Sequence, residues 1–96
     1  MSLNKNYKIR KIRKKLDILD DKLLNIIKIR TNLVHKILKN KKNKSQIIDR
    51  KRIKVILKNI RNKSLKKNID TELTKRIWVN MIRAYINFEY RKFKKK

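Results

Sequence analysis

Ninety-six residues of 11.8 kDa leave room for one small domain, and 32 Lys plus Arg against 7 Asp plus Glu put a formal charge of +25 on it. A large multidomain enzyme is excluded, and the absence of cysteine excludes a disulfide framework, a thiolate metal site and a cysteine nucleophile. Glycine and proline are absent as well, where average usage would supply roughly eleven of them, so turns needing positive φ are not expected and the chain reads as all-α.

The first element starts at Ile9. Apolar residues recur at Ile9, Ile12, Leu16, Leu19, Leu23, Ile26, Leu33 and Ile37, with Arg30 filling the one gap in the series. Steps that alternate between three and four predict a long amphipathic helix of about 30 residues carrying a heptad-like seam. Residues 1–7 are expected to fray ahead of it. The KNKKNKS stretch from Lys39 to Ser45 breaks the pattern and reads as a linker. Asp49 then precedes a second stripe at Ile53, Ile56, Leu57 and Ile60, a place that suits the N-cap of a short second helix. Polar residues from Arg61 to Asn68 read as the next linker. Asp70 is placed to cap a third, medium-length helix whose stripe is Leu73, Ile77, Trp78, Met81, Ile82, Tyr85 and Ile86. Lysines at positions 92 and 94–96 are expected to form a frayed basic end, so residues 1–96 make a single domain.

The longest apolar runs are three residues, such as Val55-Ile56-Leu57, far below the ~18 that suggest a membrane span. The basic first residues lack the apolar centre of a secretory signal. A cytoplasmic protein with no membrane partner is therefore expected. A helix of about 30 residues extends ~45 Å, longer than a compact monomer of this size is across, and its seam needs cover. A homodimer in which the first helices pair is the expected solution.

Basic charge also suits a nucleic-acid-binding protein. Lys (23), Ile (16) and Asn (11) make up 50 of the 96 residues, however, a bias that an A+T-rich coding sequence produces without selection for binding. The lysines are read as a solvated surface, and nucleic acid is not the expected partner. Arginine is rarer, at nine, and its placement says more. Arg30 stands in the seam where Leu or Ile belongs, and Asp20 and Asp21 are too far along the helix to pair with it. An external anion is the sharper reading, beside an arginine that snorkels to the helix edge.

Glu89 follows Trp78 by eleven residues, which returns it to nearly the same helical face. One of only two glutamates thus sits in an apolar stripe; a salt bridge to a lysine is the plainer alternative. His35 reads as a surface or boundary side chain. Tyr85, Phe88, Tyr90 and Phe93 fit core or dimer contacts better than base stacking.

Arg13 in IRKKLDILDDKLL, Arg30 in IIKIR, Lys41 at the end of the first helix, DRKRIKVIL with Asp49 and Arg52, and IWVNMIRAYINFE ending in Glu89 together resemble the all-helical chorismate mutase family over roughly residues 8–93. The resemblance implies three helices per chain intertwined as a homodimer, and conversion of chorismate to prephenate in phenylalanine and tyrosine biosynthesis. It implies no organic cofactor and no metal. By the same resemblance Arg13 reaches into the partner's site, Arg30 and Arg52 hold the substrate carboxylates, and Lys41 and Glu89 donate to the ether oxygen. Asp49 either helps position substrate through its backbone or serves only as the cap, the favoured reading, and Tyr85 lines the pocket. Glu89 donates only while protonated, so activity is expected to fall as pH rises.

Helical geometry agrees with a shared site. Arg13 and Arg30 are seventeen residues apart, about 25 Å along a helix, so the two cannot grip one small molecule from the same chain. Ile53 departs from the pattern, because mutases usually place there a glutamate that binds the substrate hydroxyl. The loop before Asp49 is one residue shorter than in enterobacterial mutases; sliding the alignment would substitute Arg50 and Lys51 for Arg52 and Ile53, but the stripe at Ile56, Leu57 and Ile60 would then fall out of register, so Arg52 is kept. An apolar residue after the arginine, with Tyr85-Ile86, is also similar to isochorismate pyruvate lyase, a relative of the same fold that releases salicylate and pyruvate.

Overall fold

The computed structural model describes residues 2–94, which form three α-helices: α1 (Ser2–Lys39), α2 (Arg50–Lys66) and α3 (Thr71–Lys92), with a 3-10 turn at Lys44–Gln46 between the first two. No strand occurs among the described residues. The all-α class and the order of a long, a short and a medium helix are those expected from the apolar spacing.

α1 begins at Ser2, so residues 2–7 are helical where fraying was expected. Nothing in SLNKNYK breaks a helix, since neither glycine nor proline interrupts it. Of the expected frayed ends, Met1, Lys95 and Lys96 lie outside the described residues. The chain divides after Val34 into two units. In the first, the seam is uncovered: Leu16, Leu23, Ile26 and Leu33 are between 52% and 59% exposed.

The second unit holds the last turn of α1, the loop and the α2–α3 pair. Its buried hydrophobic residues, Leu38 and Ile47, belong to none of the three stripes read from the sequence. Ile47 closes the 3-10 turn, its N–H donating to the Lys44 carbonyl at 3.0 Å. Both predicted caps are present. The Asp49 carboxylate accepts from the Arg52 N–H at 3.0 Å, and that of Asp70 accepts from Glu72 and Leu73 N–H at 2.8 and 3.2 Å. Each capping bond satisfies a donor that the first helical turn leaves without an intrahelical acceptor.

Two expectations about the α2–α3 connection are corrected. The stretch from Arg61 to Lys66 is helix rather than linker, and α2 runs to 17 residues. Arg61, Asn62 and Lys63 are solvent-facing and helix-compatible, so their polarity marks an exposed face and not a stop. Positive φ does occur, at Asn68 (φ 56°). There the Ile69 N–H donates to the Ser64 carbonyl at 2.9 Å and the Asn68 N–H to the Leu65 carbonyl at 3.2 Å. This is the Schellman arrangement, with asparagine in the left-handed position usually held by glycine.

α2 and α3 pack on each other through a polar contact that the apolar stripes do not reveal. Ser64 and Thr74 are both buried, with their hydroxyl oxygens 2.8 Å apart. The Ser64 hydroxyl donates to the Ile60 carbonyl at 2.6 Å. Its single proton is thereby committed, so Thr74 is the donor in the Ser64–Thr74 bond.

Candidate active site

The loop after α1 and the last turns of α3 bring together two residues 48 positions apart. Lys41 Nζ donates to Glu89 Oε1 at 2.9 Å and, at 3.5 Å, lies at the limit of a bond to the Ile47 carbonyl. The apolar stripe that carries Trp78, Ile82 and Tyr85 also carries Glu89, as the eleven-residue spacing requires. The two glutamates of the chain have opposite settings. Glu72 pairs with Arg76 one turn away, with side chains 69% and 78% exposed, whereas the Glu89 and Lys41 side chains are 9% and 17% exposed. An exposed i,i+4 pair is worth a few tenths of a kcal/mol and needs no function. A tertiary ion pair largely withdrawn from water holds its geometry and leaves donor capacity to spare, since an ammonium has three protons.

Around this pair, Tyr85 sits one helical turn before Glu89, half-buried, its ring edge-on to Phe88 with centroids 6.3 Å apart and planes at 87°. Ile53 is half-buried, while Arg52 and Asp49 are exposed. An open depression of about 510 Å³ beside Lys41 is lined by Gln46, Ile48, Asp49, Arg50 and Lys51. Arg50 and Lys51, the residues of the alternative alignment, border it, and Arg52 does not. His35 is half-buried, a boundary position.

Arg13 and Arg30 belong to the first unit. Arg13 is exposed and lines a shallow basic depression with Asn6, Ile9 and Arg10. Arg30 is half-buried, whereas Arg13 and the residues on either side of it are exposed. Among the described residues no three His, Asp or Glu side chains gather closely enough to hold a metal ion, and no helix is long and apolar enough to cross a membrane.

The family profile described as Chorismate mutase type II matches residues 12–90, which include Arg13, Arg30, Lys41, Asp49, Arg52, Ile53, Tyr85 and Glu89. The chain belongs to this family. No curated protein and no solved structure matches it significantly. The ion pair between Lys41 and Glu89 is the salt bridge to a lysine that stood as the plainer reading of Glu89, and its partner is the lysine that the family resemblance singles out.

Gln46 was not anticipated. Its side-chain oxygen accepts from the N–H groups of both Lys42 and Asn43, at 2.6 and 3.0 Å. The signal was present as Asn43-Lys44-Ser45-Gln46, the N-x-x-Q spacing of a capping box at the start of a helical turn. Ile47 gave no such signal, since it and its neighbour Ile48 look alike in the sequence and only Ile47 is buried.

Proposed function

We propose that the protein is a chorismate mutase that rearranges chorismate to prephenate by electrostatic preorganisation, without a covalent intermediate. The observation that carries this reading is the Lys41–Glu89 pair, 2.9 Å long and largely shielded from water, in a chain of the chorismate mutase family. In the Claisen rearrangement the ether C–O bond breaks as a C–C bond forms, electrons move within one cyclic array, and nothing is oxidised or reduced. Negative charge grows on the ether oxygen in the transition state. Donors fixed there before the reaction stabilise the transition state more than the ground state.

Lys41 has protons beyond the one given to Glu89. Glu89, whose Oε1 accepts from Lys41, holds the ammonium in place for the ether oxygen. Arg30 and Arg52 are assigned to the substrate carboxylates, where a guanidinium makes two parallel hydrogen bonds to a carboxylate. Asp49 shapes the loop through its cap on α2, and Tyr85 and Ile53 supply the pocket wall.

The functional unit in this reading is a homodimer. Support comes from the exposed α1 seam and from the seventeen-residue separation of Arg13 and Arg30, which a partner's Arg13 overcomes. Cytoplasmic location follows the same reading.

Ile53 favours a second reading, isochorismate pyruvate lyase. A half-buried isoleucine cannot bind the hydroxyl that the usual glutamate would hold, and isochorismate carries its hydroxyl elsewhere on the ring. Incubation with chorismate and isochorismate separately distinguishes the two. Prephenate from chorismate supports the mutase; salicylate plus pyruvate from isochorismate, with no prephenate, supports the lyase. Release of neither product by the dimeric protein refutes both. Arg50→Ala and Arg52→Ala, assayed side by side, identify the arginine that holds substrate.

A further inference from the structure

The geometry points to Gln46 as a positioning residue for the Lys41 ammonium. Its catalytic arm rests on the mutase reading, and its structural arm does not.

The Lys42 N–H belongs to the peptide group that also carries the Lys41 carbonyl. Gln46 Oε1 accepts from that N–H at 2.6 Å and from Asn43 N–H at 3.0 Å, so one side-chain oxygen fixes the peptide plane leaving Lys41. The same residue is tied into the 3-10 turn by its own N–H, which donates to the Asn43 carbonyl at 3.0 Å, and the next N–H, of Ile47, donates to the Lys44 carbonyl at 3.0 Å. Ile47 is 3% exposed, and its carbonyl lies 3.5 Å from Lys41 Nζ. Gln46 thus joins the backbone at the root of the Lys41 side chain to the carbonyl near its tip. Without that oxygen, the Lys42 and Asn43 donors turn to water and the loop loses the contact that sets its width. Glu89 alone, on α3, would then hold the ammonium.

Gln46 is exposed, so replacing it opens no cavity, and the variants are expected to fold. The experiment compares Gln46→Ala with Gln46→Glu, which keeps the accepting oxygens. Gln46→Ala is expected to lower kcat about tenfold with KM within about twofold, since a donor displaced from a developing charge costs transition-state binding and little ground-state binding. Gln46→Glu is expected to restore kcat to within about threefold.

The second readout needs no turnover. Acetylation of lysines by acetic anhydride is followed at each site by peptide mass spectrometry. Lys41 is expected to react more slowly than exposed Lys42 in the wild type, and several-fold faster in Gln46→Ala than in wild type, with exposed Lys58 unchanged. The proposal is overturned if Gln46→Ala leaves both kcat and Lys41 acetylation unchanged. It is also overturned if Gln46→Glu fails to rescue, or if KM and thermal stability move while kcat does not. Should the wild type make no prephenate, the mutase reading fails and the acetylation arm alone decides the role of Gln46.

Discussion

The buried Ser64–Thr74 contact makes a quantitative prediction about how α2 and α3 are joined. Thr74 donates to Ser64, and Ser64 donates to the Ile60 carbonyl. Thr74→Val preserves shape and deletes the first donor, leaving a buried serine oxygen short of a partner; the expected cost is about 1 kcal/mol. Ser64→Ala leaves the threonine proton only the Asp70 and Thr71 carbonyls, each 3.4 Å away, and costs about the same. The double variant removes both hydroxyls and strands no polar group. Its cost should fall well below the sum of the two, with a coupling energy of about 1 kcal/mol. Urea and thermal unfolding at one fixed chain concentration measure all four proteins; each single change should lower Tm by roughly 4–8 °C. If the double variant loses the full sum, to within about 0.5 kcal/mol, the two hydroxyls are not energetically linked and the proposed donor order is wrong.

Three further outcomes are expected. Asp70→Ala strips the acceptor from two N–H groups at the start of α3 and should destabilise the protein by about 1 kcal/mol in urea unfolding, whereas Asp70→Asn should keep most of the stability. Asn68→Gly should be neutral or mildly stabilising at φ 56°, and Asn68→Val should cost about 1–2 kcal/mol in the same assay, because a β-branched side chain clashes in the left-handed region. Glu89→Ala takes away the partner that holds the Lys41 ammonium and should lower kcat at least about tenfold in the prephenate assay. A kcat unchanged in that variant would remove the Lys41–Glu89 pair from the mechanism.

Much of this architecture is legible in local residue order because caps and stripes are local. Asp49 and Asp70 each precede an apolar period, and each accepts from the first turn of its helix. Glu89 is legible as an acid on an apolar face, and its partner proves to be Lys41. The illegible parts depend on tertiary contact. Ser64 and Thr74 look like surface polar residues until α2 and α3 are placed together. The six residues from Arg61 to Lys66 look like a linker because a solvated helical face and a loop share the same composition. The seam of α1 is legible, but it is not the surface this chain buries: Ile37 lies 57% exposed beside Leu38 at 4%. Asn68 shows that lack of glycine does not forbid a left-handed cap, since a short polar side chain tolerates it.

The turn that joins α2 to α3 spans only residues 67–70, and the chain has no proline. Closing so short a connection takes well under a microsecond, and there is no prolyl bond whose isomerisation would add a delay of tens of seconds. Refolding of the hairpin should therefore finish early and at a rate independent of how much protein is present. A later phase that quickens on raising the concentration would time the encounter of separate chains, cleanly resolved from events within one.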